Sequence, residues 1–138
     1  MNADCVVVDA NIAFKALAAG RGDLRDRLGP ATPVTFYAPR FLFVELFKHK
    51  DRLAVAAKVS EGELLEALHV LVSRMEFVNE ANIPLGTWME AYRWCREVDE
   101  KDTAYVALTL HLDGRLWTHD SELKIALRAR GFDRFFEP

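Results

Sequence analysis

The chain has 138 residues, of which 51% are hydrophobic, and its 21 acidic and 18 basic side chains give a formal net charge of −3. This length and composition predict one globular domain over residues 1–138 with a sizeable core, and they exclude a disordered chain. The charge excludes a broad basic surface, so any binding of nucleic acid needs metal ions or a local basic patch.

The cysteine content and the lack of long apolar runs indicate the compartment. Cys5 and Cys95 stand in apolar surroundings, which is typical of core thiols in a reducing compartment rather than of a disulfide scaffold. The N-terminus lacks the charged and apolar regions of a signal peptide, and no apolar run approaches the roughly 20 residues of a membrane span. We therefore expect a cytoplasmic protein with no membrane partner.

The first predicted strand ends in an acidic residue. Cys5 to Val8 is apolar and mostly β-branched, which predicts a strand buried on both faces of a parallel sheet. Asp9 and Asn11 follow, and Ile12 begins a helical pattern. Ligands of open α/β sheets bind beyond the carboxyl ends of the strands, so Asp9 is a candidate site residue. The alternative is that Asp9 only caps the helix.

Glycines and prolines between residues 20 and 33 predict a connection with one short helix, Asp23 to Leu28. Val34 to Ala38 predicts a second strand. Pro39 suits the first turn of a helix from Arg40 to about Lys50.

Glu45 is an anomaly in the middle of that helix, which is otherwise apolar on all sides. The pattern predicts that most of the helix is buried, against a second helix layer or another subunit. A buried carboxylate is unfavourable unless it is paired or bound to metal. Glu45 therefore either pairs with Lys48 or His49 one turn later, or has a functional role.

The middle of the chain predicts a helical segment from Asp51 to Lys58, a helix opened by a capping box at Ser60 to Glu63, and a third strand from Met75 to Val78. Pro84 then opens a further helix. Its apolar stripe, which we expect to face the core, consists of Leu85, Trp88, Met89, Tyr92 and Cys95.

Asp102 stands directly before the helix that starts at Thr103. If Asp99 is the N-cap of that helix, Asp102 occupies the third helical position, where a carboxylate favours the helix dipole. We assign Asp99 to capping.

Asp120 lies in the last part of the chain, just past a short strand from Leu116 to Thr118. Asp113 and Gly114 predict the turn before this strand, and a helix from Ser121 to about Ala129 follows it, stopped by Gly131. Phe135 and Phe136 predict an edge strand.

Asp9, Asp102 and Asp120 thus stand at strand ends or at the start of a helix that enters the same sheet. Such ends converge in a doubly wound sheet, where these acids and Glu45 would repel one another unless cations lay between them. Oxygen-rich sites suit Mg²⁺ or Mn²⁺, which can activate water for attack on a phosphodiester. The pattern permits metal-dependent phosphodiester hydrolysis without identifying it.

Four segments together resemble the PIN-domain family, and the last two are most similar to VapC-like ribonuclease toxins of type II toxin–antitoxin systems. The similarity extends from Val6 to Phe132. The segments are Val-Val-Val-Asp9-Ala-Asn11, Phe-Val-Glu45-Leu, Asp99-Glu-Lys-Asp102-Thr-Ala-Tyr-Val-Ala-Leu and Leu-Trp-Thr118-His-Asp120-Ser-Glu-Leu.

The resemblance implies a three-layer α/β/α fold with a five-stranded, mainly parallel sheet, and Mg²⁺- or Mn²⁺-dependent cleavage of RNA. It also implies a homodimer that binds a cognate antitoxin over an apolar groove. His119 is a departure, because glycine is common at this position of the subset. By position, Asp9, Glu45, Asp102 and Asp120 match the catalytic, metal-binding acids, and Asn11 and Thr118 match the residues that support them.

Other functions remain open on the sequence. They are a PIN-domain nuclease in RNA processing outside toxin–antitoxin systems, a non-catalytic PIN-like binding module, and a haloacid-dehalogenase-like phosphatase. The phosphatase leaves Glu45 unexplained. Two basic groups are candidates for RNA binding, and we favour Lys124 and Arg128 because their helix begins beside Asp120. The groups are Lys48, Lys50 and Arg52, and Lys124, Arg128, Arg130 and Arg134.

Overall fold

The computed structural model describes residues 4–18 and 33–138, and within them four parallel strands form one sheet in the order β3-β2-β1-β4. β1 pairs with both β2 and β4, and its residue Val6 lies opposite Phe36 and Arg115. All four residues of β1 are buried, as predicted for a strand covered on both faces. The strands are β1 (Cys5–Val8), β2 (Thr35–Pro39), β3 (Met75–Val78) and β4 (Arg115–Trp117).

The predicted fifth strand is reduced to a single parallel bridge between Phe135 and Leu116. The Leu116 amide donates to the Arg134 carbonyl at 2.9 Å, and the Phe136 amide donates to the Leu116 carbonyl at 2.9 Å. The parallel α/β fold is confirmed, with four strands and one bridge among the described residues in place of five strands.

Helices flank the sheet in two groups. One group packs around α1, which contacts α2, α3 and α4, and in the other group α5 contacts α6 and α7. The predicted helix at Asp23 to Leu28 lies outside the described residues. No helix in the described part of the chain has the length and apolar character needed to cross a bilayer. The helices are α1 (Ala10–Ala18), α2 (Arg40–Lys48), α3 (Lys50–Ala57), α4 (Glu61–Ser73), α5 (Leu85–Cys95), α6 (Thr103–Leu112) and α7 (Ser121–Ala129).

Local stop and start signals explain most of these boundaries. The capping box is present, because the Ser60 hydroxyl accepts from the Glu63 amide at 3.1 Å and the Glu63 carboxylate accepts from the Ser60 amide at 3.3 Å. Gly131 adopts a φ of +90° after α7. The predicted helix from Arg40 to about Lys50 instead ends at Lys48, and α3 begins at Lys50.

The predicted core stripe of α5 is wrong at three positions. Leu85 is 74% exposed, Met89 54% and Tyr92 44%, whereas Ala91 and Cys95 are fully buried. The small side chains of Ala91 and Cys95 face the interior, where α5 packs on α6. Size, rather than hydrophobicity alone, decided which side of this helix faces the core.

The prediction that α2 is mostly buried is also wrong within a single chain. Leu42 and Leu46 are fully buried, but Phe43, Val44 and Phe47 are exposed. The apolar side chains that were predicted to be buried therefore lie in part on the surface of the chain.

Candidate active site

Asp9 sits where β1 passes into α1, and its side chain is almost fully buried, at 4% exposure. One carboxylate oxygen accepts from the Ile12 amide at 2.9 Å, so Asp9 does cap α1. Burial raises the pKa of Asp9, while hydrogen bonds from Thr118 and Ile12 act in the opposite direction. The cap is thus real, yet it does not remove the unfavourable burial of this charge.

Thr118 links the two acids that follow neighbouring strands. Its buried side chain is hydrogen-bonded to Asp9, and its hydroxyl oxygen accepts from the Asp120 amide at 3.1 Å. Asp120 in turn caps α7 by accepting from the Leu123 amide at 3.1 Å. This arrangement gives Thr118 the supporting geometry that the family pattern implies.

Asp102, unlike Asp9 and Asp120, does not cap a helix with its side chain. Asp99 accepts from the Lys101 amide at 3.0 Å and caps a short 3₁₀ turn, Glu100–Asp102, as expected for a capping residue. α6 then starts at Thr103, so Asp102 lies at its N-cap position rather than at the predicted third position, and its side chain makes no capping bond. Oδ2 of Asp102 is buried and has no hydrogen-bond partner among the described residues.

The charges around Asp102 show that the acids lie near one another. Burial, followed in order of strength by the negative charges of Asp99, Asp120 and Asp9, raises the pKa of Asp102 to about 7. Because the charges of both Asp9 and Asp120 act on Asp102, the ends of β1 and β4 lie near the start of α6, as the sequence predicted.

Glu45, on α2, lines the same cleft as Asp9 and Asp102. Phe41, Glu45 and His49 are spaced four residues apart and all line one cleft. Oε2 of Glu45 lies 3.5 Å from Nε2 of His49, so the predicted pairing one turn later is present with His49. The His49 ring packs edge-on against Phe14, with 5.6 Å between ring centroids.

The cleft has a volume of about 240 Å³ and brings together Asp9, Asn11, Glu45 and Asp102 of the predicted site. Asp120 and Thr118 are not part of its lining, although the charge of Asp120 acts on both Asp9 and Asp102. The other lining residues are Ala10, Phe14, Phe41, His49, Asp99, Lys101 and Tyr105.

Two polar residues of this cleft were missed in the sequence: Lys101 and Tyr105. His49 was predicted only as a possible partner of Glu45, from its spacing of four residues on one helix. Tyr105 follows Asp102 by three residues, which places both on one side of α6. Lys101 carries no comparable signal, because the 3₁₀ turn that contains it was predicted as regular helix.

Tyr105 is 3% exposed, and its buried hydroxyl has no hydrogen-bond partner among the described residues. Burial raises its pKa above the usual range, and the charges of Asp9, Glu45 and Asp102 add to this effect. Tyr105 therefore stays protonated, under the charge of three of the four acidic side chains that line the cleft.

The donor set fits a hard divalent cation, although the acids do not form a finished coordination cage. No three or more His, Cys, Asp or Glu side chains of the described residues converge closely enough for such a cage. The fit rests instead on the unpartnered Oδ2 of Asp102 and on the nearby carboxylates, whose charges raise the pKa of Asp102. A cation offsets this kind of repulsion, and Mg²⁺ and Mn²⁺ prefer oxygen ligands.

Lys124 and Arg128, the favoured RNA-binding residues, face the C-terminal segment. Lys124 pairs with Glu137 at 3.1 Å. Arg128 pairs with Asp133 at 2.7 Å and lies over the Phe135 ring, 4.9 Å from its centroid. Neither residue lines the acidic cleft, and their role in RNA binding stays a prediction.

Comparisons with known proteins identify the family and the fold. The sequence model of the PIN domain matches residues 7–131. The fold is similar to a chain in the crystal structure of VapBC2 from Rickettsia felis bound to a DNA fragment from their promoter. The TM-score is 0.70 and the sequence identity 13%, over 88% of this chain and 92% of that one. No curated protein sequence matches the chain.

Proposed function

The chain belongs to the PIN-domain family, and from this premise we propose that it is a metal-dependent endoribonuclease, which hydrolyses phosphodiester bonds of RNA. One observation carries the proposal. Asp102 holds a buried oxygen without a partner, and the charges of Asp99, Asp120 and Asp9 help to raise its pKa to about 7. A fold rarely retains a buried carboxylate under such repulsion without a functional reason.

Asp9, Glu45, Asp102 and Asp120 would hold Mg²⁺ or Mn²⁺, which supplies charge neutralisation and an activated water for in-line attack at phosphorus. Thr118 fixes Asp9 through its hydroxyl and Asp120 through the Asp120 amide. These bonds keep the two strand-end carboxylates in place when the metal is absent.

Other residues of the cleft have roles in binding RNA. Asn11 is exposed at the cleft and can donate its amide to a phosphate oxygen. Lys101 is exposed at the rim and supplies positive charge to a protein whose net charge of −3 opposes RNA. Lys124 and Arg128 extend this positive charge beyond Asp120 if RNA displaces their partners Glu137 and Asp133.

We also propose that the enzyme is the toxin of a toxin–antitoxin pair, forms a homodimer and binds a cognate antitoxin. The support is the similarity of the Asp102 and Asp120 segments to VapC-like toxins and the likeness of the fold to a chain of the VapBC2 assembly. The exposed apolar side chains of α2 add a surface suited to a protein partner. Phe43 and Phe47 stack there with 5.8 Å between ring centroids.

The proposal is tested by incubating structured and single-stranded RNA with the full chain in Mg²⁺ or Mn²⁺, with and without EDTA. Asp102→Asn serves as the inactive variant, and Glu66→Gln, an exposed carboxylate of α4, serves as the matched control. We expect cleavage by wild type and Glu66→Gln, and none with EDTA or with Asp102→Asn. Cleavage that survives EDTA would contradict the metal dependence. RNA binding without cleavage in either metal would contradict the proposal as a whole and favour a binding module.

A further inference from the structure

Glu80 is bonded to the start of the helix that carries Glu45. Its Oε1 accepts from the Arg40 amide at 3.1 Å, and its Oε2 accepts from the Phe41 amide at 3.1 Å. These are the first amides of α2, which have no partner inside the helix. Pro39 occupies the N-cap position and makes no side-chain bond. Glu80, which is 40 residues further along the chain than Arg40, therefore caps α2 from outside.

Glu80 is itself held in a short, well-bonded turn. It begins a 3₁₀ turn, Glu80–Asn82, which Asn79 caps by accepting from the Ala81 amide at 3.0 Å. The indole nitrogen of Trp88 on α5 donates to the Glu80 carbonyl at 3.3 Å. A carboxylate fixed in this way has little freedom to follow movements of α2, so its two bonds restrain the helix.

The restraint acts on the cleft through one face of α2. Phe41, whose amide Glu80 binds, lines the cleft one turn before Glu45. On the adjacent side, the nine-residue helix is anchored by Leu42 and Leu46, which are fully buried. Phe43, Val44 and Phe47 are exposed on the remaining face, where Phe43 contacts Phe77 edge-on. The bonds of Glu80 therefore help to oppose a rotation of α2 about its buried side. Such a rotation would carry Glu45 away from Asp9 and Asp102.

We propose that Glu80 is a positioning residue of the cleft, which holds Glu45 towards Asp9 and Asp102 by binding the first two amides of α2. The inference rests on the proposed function, because it concerns the metal that Glu45 would help to bind. Glu80 does not line the cleft. Its charge acts on Tyr105 in the cleft, so a positioning role must be separated from a direct effect of charge. A positioning role requires that the effect of Glu80 on metal binding passes through Glu45, and this dependence can be measured.

The test is a double-mutant cycle, read as the affinity for Mn²⁺ of the full chain without RNA. Calorimetric titrations are extended to millimolar Mn²⁺ so that weakened variants remain measurable. We expect Glu80→Ala to weaken binding roughly ten- to a hundredfold, as is usual for residues that orient metal ligands. In a Glu45→Gln background, the same change should alter affinity by less than about twofold. Glu76→Ala, which removes an exposed carboxylate from β3, is the matched control and should also stay within about twofold.

Equal losses from Glu80→Ala in both backgrounds would overturn the inference, because Glu80 would then act independently of Glu45. Wild-type affinity in Glu80→Ala would overturn it as well. Glu80→Gln keeps one acceptor for the two amides, so it should weaken Mn²⁺ binding less than Glu80→Ala and again only when Glu45 is present. This variant tests the inference if Glu80→Ala does not fold. Absence of Mn²⁺ binding by the wild type would remove the proposed function and the inference together. If the wild type binds Mn²⁺ but Glu80→Ala weakens binding equally with and without Glu45, the inference fails and the proposed function stands.

Discussion

Asp9 and Asp120 each use a carboxylate oxygen to cap the helix that follows, and both also act electrostatically on Asp102. The two roles can be separated by chemistry. Asn is as good an N-cap as Asp, because its side-chain oxygen accepts the same amide bond. It carries no charge and is a poorer ligand for a divalent cation. At the scale of single residues, an Asp-to-Asn change therefore tests the site without removing the cap.

We predict that Asp9→Asn, Asp102→Asn and Asp120→Asn each abolish RNA cleavage while the protein stays folded. Even complete loss of a cap would remove only about 1 kcal/mol from the free energy of unfolding, and Asn should retain most of this. Cleavage rates and circular dichroism melts of the three variants provide the measurement. Wild-type cleavage by any two of them would refute the site.

The stability of the metal-free protein should fall as the pH rises. The pKa of Asp102 is raised from an ordinary value of 3.8 to about 7, and that of Asp9 is raised as well. The folded protein thus holds these protons more tightly than the unfolded chain. This contribution to stability is fully present below the unfolded pKa and is lost as pH rises through the folded pKa.

We therefore expect a higher melting temperature in EDTA at about pH 5 than at about pH 8, with the difference reduced in Asp102→Asn. Differential scanning calorimetry across this range is the measurement, and added Mn²⁺ should restore stability mainly at the upper end. If Asp102→Asn keeps the full wild-type dependence on pH, Asp102 is not the group responsible.

At the scale of elements, the turn between α6 and β4 decides how closely β4 approaches β1. Asp113 adopts a left-handed conformation with a φ of 52°, and Gly114 follows against the first strand. A Cβ at Gly114 would lie 2.6 Å from the carbonyl oxygen of Cys5 and 3.1 Å from its Cβ. Only glycine allows this approach, which sets the register that brings Thr118 and Asp120 beside Asp9.

Gly114→Ala should lower the free energy of unfolding by about 1–3 kcal/mol, because the backbone of β1 must shift to admit the methyl group. Gly86→Ala is the matched control, since a Cβ there meets no atom within 4 Å and Gly86 lies in the first turn of α5. The control should be neutral or more stable by up to about 1 kcal/mol. Urea unfolding of both variants measures the difference, and equal stabilities would mean that the turn relaxes freely.

At the scale of the whole molecule, the described residues include exposed apolar surfaces on α2 and on α5, and the net charge is only −3. The α2 surface consists of Phe43, Val44 and Phe47, and the α5 surface consists of Leu85, Met89 and Tyr92. Contiguous apolar surface on a soluble protein indicates protein contacts. Two such surfaces match the two partners proposed for this chain, a second copy and an antitoxin.

We predict a homodimer at micromolar concentration, with twice the 15.7 kDa mass of the chain. Phe47→Ser and Met89→Ser each make one surface polar, and we expect one of them to yield the monomer while the other leaves the dimer intact. Light scattering gives the masses. A wild-type monomer would remove the dimer, and a dimer in both variants would place its interface elsewhere.

The sequence alone determined the chain order of the four described strands and the described helices, the acidic strand ends and the capping box, but its predicted fifth strand is reduced to one bridge. Each depends on neighbours within a few residues: the apolar run from Cys5 to Val8, Asp9 directly behind it, and Ser60 three residues before Glu63. Convergence of Asp9, Asp102 and Asp120 was also predictable, because parallel strands bring their carboxyl ends to one edge.

Only the tertiary structure decided the rest, because it depends on distances between elements that no local pattern contains. Glu80 is bonded to the amide of Arg40, 40 residues away in the chain, and to the amide of Phe41, 39 residues away. The buried side of α5 was set by how closely Ala91 and Cys95 let it approach α6. The unpartnered oxygen of Asp102 also became evident only in the tertiary structure, where Asp99 caps the preceding turn and Oδ2 of Asp102 is buried without a partner among the described residues.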